Sequence, residues 1–168
     1  MNRIFKSIVL LAVIILQTTI LSHFTPFNVV PNYTLVTVIA ICVISHDKDC
    51  VIFAALAGFL TDAFTGTPFG INILMYMYLA VLLVIVSETI YSKSAMVFAP
   101  VCFVSSFLCE LFLGVTSFLL KGVEVQMLIV IKVALLVSVM NSVIFIPVYA
   151  LLSRVKIEKR RKGIKYEQ

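Results

Sequence analysis

QMLIVIKVALLVSVMNSVIFIPVYALL, residues 126–152, is the stretch that decides the fold. Its one charged residue is Lys132. A hydrocarbon core of about 30 Å is crossed by roughly 20 apolar helical residues, so this run is long enough with some tilt. Lipid offers no hydrogen bonds to a backbone, which leaves only helices or a closed barrel. The run shows none of the in–out alternation of a barrel strand, so it reads as a transmembrane helix.

The whole chain follows this pattern. Hydrophobic residues make up 62% of the sequence and charged residues 12%. The mean hydropathy is +1.15. A soluble domain carries roughly 25% charged residues to face water, and this chain cannot cover a compact surface with what it has. An all-α integral membrane protein follows, with six spans at about 4–21, 33–45, 50–64, 71–90, 95–119 and 126–152, and a basic tail at 153–168. Arg3 and Lys6 flank the first span like the start of a signal peptide. No A-x-A-like site follows at Thr18 to Ser22, so an uncleaved first helix is expected. The second span is short for a full crossing and needs support from its neighbours.

Short-loop charge sets the orientation. With the N-terminus inside, the inner segments hold Arg3, Lys6, Lys48, Lys93, Arg154, Lys156, Lys159, Arg160, Arg161, Lys162 and Lys165, which is 11 of the 13 basic residues. Both termini are therefore expected in the cytoplasm. The tail reads either as a topology anchor touching anionic membrane lipid or as a docking site for a cytoplasmic partner. It lacks the aromatic interleaving of a nucleic-acid binder, and no nucleic acid is expected as a partner. Cys42, Cys50, Cys102 and Cys109 form no CxxC pair and read as small apolar filler, with no metal or cofactor implied.

Ionisable groups within a bilayer are costly and face the bundle interior. Asp62 lies at the outer end of span three. Glu110 lies about 14 Å deep in span five and Lys132 about 9 Å deep in span six, at 1.5 Å per residue. Gln17 and Asn72 fall in the same depth band. The expectation is an outward-facing polar cluster of Gln17, Asp62, Asn72, Glu110 and Lys132, in which Lys132 pairs with Glu110 or Asp62. It either fastens helices together or forms a pocket for a small molecule, ion or headgroup. Ser106, Glu110, Gly114 and Ser117 form one small, polar stripe on span five. Asn141 lies nine residues from Lys132, about 180° around the helix, and does not share its face.

Residues 57–70 read AGFLTDAFTGTPFG. Gly58 permits close packing one turn before Asp62, while Gly66 and Pro68 break the helix and Gly70 allows an unusual backbone. Asp62 is placed to accept hydrogen bonds from the amides freed there and to cap the next helix. A plain tight turn with a nearby charge is the alternative. The set Gly58, Asp62, Gly66, Pro68, Phe69 and Gly70 resembles the hallmark of the MreD family of bacterial rod shape-determining membrane proteins. Leu16-Gln17-Thr18-Thr19 is similar to that family's opening. Pro31-Asn32 stands where a Pro-Asp is common, so position 32 lacks the charge.

The resemblance implies a fold similar to the substrate-binding membrane component of energy-coupling-factor transporters. It implies a non-enzymatic scaffold of the cell-elongation machinery in the bacterial inner membrane. MreC would be the direct partner, with MreB, RodZ and a RodA-type peptidoglycan polymerase with its transpeptidase as neighbours. The alternative is a solute-binding component of a transporter. An intramembrane enzyme is not expected: no GxSxG or Ser-Lys spacing is present, and His23 and His46 fall at opposite membrane faces.

Overall fold

The computed structural model describes residues 3–19, 29–45, 49–65, 69–90, 94–121 and 127–165. They form six helices: α1 (Arg3–Thr19), α2 (Tyr33–Ser45), α3 (Asp49–Thr65), α4 (Ile71–Thr89), α5 (Ala95–Lys121) and α6 (Met127–Lys165). Two stretches, Ala95–Thr116 and Met127–Arg154, are long and apolar enough to cross a membrane.

The helices start and stop for local reasons. Asn32 caps α2, its Oδ1 accepting from the Leu35 amide at 3.0 Å. Gly70 opens α4 in the left-handed region at φ 101°, where a side chain would be strained. The sixth helix passes well beyond the expected end of its span at residue 152. The sequence after it is rich in Lys, Arg and Glu, all good helix formers. The basic tail is thus largely a continuation of α6 rather than a separate segment.

Packing arranges the bundle around α2. The third and fourth helices form one close pair and the fifth and sixth another, while α2 touches all five of the others. Every residue of α2 from Thr34 to Ser45 is buried. Apolar on all sides, it behaves as a core helix rather than an amphipathic one. At about 20 Å long it falls short of a hydrocarbon slab. The other helices present large apolar side chains outward, among them Leu74, Met96, Leu128 and Leu151. An exposed apolar surface of this extent suits lipid or a protein partner, not water.

Candidate functional site

Polar side chains gather in the half of the bundle where α1 and α3 end and α2 and α4 begin. They make three contacts there rather than one cluster.

The first contact is a clamp on the α3–α4 turn. Asp62 is 3% exposed. Its Oδ2 accepts from the Gly70 amide at 2.9 Å and the Ile73 amide at 3.4 Å. Its Oδ1 accepts from the Asn72 side-chain amide at 2.8 Å and the Asn72 backbone amide at 3.2 Å. Gly70 has no side chain to cap α4, so a carboxylate one helix away does it, at the positive end of the helix dipole. The approach is close because residue 58 is glycine. A Cβ there would lie 2.5 Å from the Asn72 carbonyl oxygen and 2.6 Å from the Ile73 Cα. Phe69 packs edge-on against Phe59 at 5.3 Å, tying the residue before Gly70 to α3. Gly66 and Pro68 lie outside the described residues.

The second contact joins α1 to α2. The Gln17 carbonyl oxygen accepts from both the amide and the hydroxyl of Thr34, each at 2.8 Å. It satisfies a donor in the first turn of α2 that has no partner within the helix.

The third contact is a network centred on Asn32. Its backbone amide donates to Asn141 Oδ1 at 3.0 Å. Its side-chain amide donates to the Tyr76 hydroxyl at 3.1 Å, which also lies 3.3 Å from Asn32 Oδ1. Asn141 donates onward to Ser106 Oγ at 3.2 Å. The Glu110 carboxyl faces the Asn32 side chain. One residue at the start of α2 is thereby tied to α4, α5 and α6. Asn141 is fully buried, and a buried amide left without partners costs about 1–3 kcal/mol, so the network holds these helices in one register.

Of the expected cluster, the structure joins Asp62 to Asn72, places Gln17 on Thr34 and sets Glu110 beside Asn32. Lys132 stands apart, exposed on the outside of α6, and makes no ion pair with Asp62 or Glu110. The reason is the helical phase: Asn141 points into the bundle, and Lys132 lies about 180° away. Its long stem lets the ammonium reach the interface along the outer surface. Of the polar stripe on α5, Ser106 and Glu110 face these partners. Gly114 lets α6 approach so closely that a Cβ would collide with Val130. The Ser117 side chain lies outside the described residues.

Sequence reasoning passed over Asn32, Tyr76 and Asn141 as site residues. Asn32 carried a signal, a polar side chain just ahead of an all-apolar helix. Tyr76 and Asn141 carried little, because nothing local marks which of several polar residues will meet across 44 and 109 positions. Among the described residues, no three His, Cys, Asp or Glu side chains converge as a metal site.

A carboxylate-clamped helical hairpin packed on an enclosed core helix defines a helical bundle, two of whose helices are long and apolar enough to cross a membrane. The family model described as rod shape-determining protein MreD matches residues 1–155. The chain belongs to the MreD family, and with it to the proteins that determine rod shape. No curated protein and no solved structure matches the chain.

Proposed function

We propose that this protein is a non-enzymatic scaffold of the bacterial cell-elongation machinery, embedded in the inner membrane by six spans with both termini in the cytoplasm. It binds an MreC-type partner and through it helps control lateral peptidoglycan synthesis. MreB, RodZ and a RodA-type polymerase with its transpeptidase are the neighbours in that assembly. Family membership across residues 1–155 carries this reading. The chemistry of the buried groups supports it: the Asn32, Asp62 and Gln17 contacts spend their donors and acceptors on other helices, as a rigid structural part requires. A solute-binding role would need those same groups turned toward a ligand.

The test is co-purification of the tagged full chain from membranes of cells carrying a chromosomally tagged single-span, mostly extracytoplasmic MreC-type protein. Recovery of that protein and rounding of rod cells on depletion are expected. Normal rods after depletion, with no such partner recovered, would remove the scaffold reading.

A further inference from the structure

Two cysteines meet at the end of the bundle away from the Asn32 network. Cys42 lies in the last turn of α2 and Cys50 in the first turn of α3, and both are fully buried. Their side chains are hydrogen-bonded to each other. Cys50 Sγ lies 4.0 Å from the Ile41 carbonyl oxygen, and the Lys6 ammonium donates to it at 3.8 Å. The other two cysteines stand in contrast. Cys102 and Cys109 share α5, and their separation along its axis is about 10.5 Å, beyond the ~7 Å reach of a disulfide. Cys102 Sγ donates to a neutral acceptor, the Asn141 carbonyl oxygen, at 3.9 Å. These two fit the reading of apolar filler. Two touching thiols with a cation on one of them do not, because a positive neighbour is what marks a reactive cysteine.

Burial at this point excludes a large oxidant but not a small one. A cavity of about 110 Å³ lies beside the pair, lined by Lys6, Ser7, Asp49, Ile52, Phe53 and Leu56. Ser7, Ile52 and Leu56 are exposed, so the cavity reaches the surface. Lys6 forms part of its wall, and the same ammonium touches Cys50 Sγ. A space of this size holds water-sized molecules, and hydrogen peroxide is little larger.

We propose that Cys42 and Cys50 form a peroxide-oxidised dithiol that closes into a reversible disulfide between α2 and α3. The Cys50 sulfur attacks one peroxide oxygen and the O–O bond breaks. One oxygen stays on sulfur as a sulfenic acid, and the other leaves as water with the thiol proton. The Cys42 sulfur then attacks the Cys50 sulfur, the S–O bond breaks, and a second water leaves. Two thiols and one peroxide thus give one disulfide and two waters, with two electrons passing from sulfur to oxygen. The bridge ties the end of the central helix to the start of α3. The proposal is independent of the scaffold reading and of any protein partner.

The full chain in detergent is exposed to hydrogen peroxide, quenched with catalase, denatured, and its remaining thiols counted with a polymer-tagged maleimide. The unaltered protein should lose two of its four thiols, regained with reductant, and peptide mass spectrometry should find Cys42 joined to Cys50. In Cys42→Ala the reaction should stop at the first step, with a sulfenic acid on Cys50 that dimedone traps. In Cys50→Ala no trapped adduct should form on Cys42. Lys6→Gln should slow the loss of thiols about tenfold, the effect of one charge-assisted hydrogen bond, and Lys6→Arg should stay within about twofold of the unaltered rate. Four thiols surviving in the unaltered protein, a bridge that involves Cys102 or Cys109, or dimedone on Cys42 in Cys50→Ala would each overturn the proposal. An unchanged rate in Lys6→Gln would remove Lys6 from it.

Discussion

The Asp62 clamp and the Asn32 network sit in the same half of one bundle, yet they are built on opposite plans. The clamp is local: its partners lie 8 to 11 residues away, and it uses one carboxylate against three backbone amides and a side-chain amide. The network is long-range: its amide and hydroxyl bonds reach across 35, 44 and 109 residues, and the Glu110 carboxyl stands beside Asn32. A charged acceptor makes the stronger bonds and can form as soon as its hairpin does. Neutral groups make individually weaker bonds, and the Glu110 carboxyl beside Asn32 is the ionisable group set against them. The clamp shapes one turn, whereas the network decides how four helices stand together.

The difference sets an order of effects. Asp62→Ala leaves the first turn of α4 and the Asn72 amide without their acceptor. A loss of about 4 kcal/mol is expected, seen as a large fall in thermal midpoint of the detergent-solubilised protein and poor accumulation in membranes. An unchanged midpoint would show that the clamp is ornamental. Gly58→Ala drives a methyl into the Asn72 carbonyl and should cost about 3 kcal/mol by prying α3 from α4, with faster hydrogen exchange confined to that hairpin. Exchange that rose equally throughout would erase the distinction between a local and a global device.

Asn141→Ala strips the Asn32 amide of its acceptor and Ser106 of its donor. About 2 kcal/mol is expected, with exchange rising in α2, α5 and α6 together. Asn32→Asp puts a carboxylate beside Glu110 and removes the amide donor to Tyr76. It should cost about 1 kcal/mol, recovered in part by Glu110→Gln, and a double-mutant cycle on thermal midpoints measures the coupling. Lys132→Ala should change the midpoint by less than about 0.5 kcal/mol equivalent, as for any exposed site. A larger fall would restore Lys132 to the polar cluster.

How far each region can be read from sequence follows the same division. Asp62 is legible because a glycine one turn before it, a helix break after it and a capless glycine at position 70 all lie within one short segment. The helices themselves are legible from their apolar runs, and α2 announces its enclosed place by being short for a full crossing. The partners of Asn32 are not legible, since hydrophobic patterning fixes the face of Asn141 but not the helix it meets. Lys132 misleads for a related reason. Depth along a helix follows from counting residues, but two side chains at one depth meet only if their phases agree, and a lysine can escape outward where a glutamate cannot.

The enclosure of α2 has a consequence for how the chain is made. The surface that covers this helix includes α6, which begins only at Met127 and is synthesised after the other five helices. Until then the Asn32 amide lacks Asn141 as its acceptor, and one flank of the core helix stands open. The bundle thus closes only once α6 has been made, like a latch thrown by that helix. A chain cut short before that point exposes its own unfinished state to the membrane's quality control.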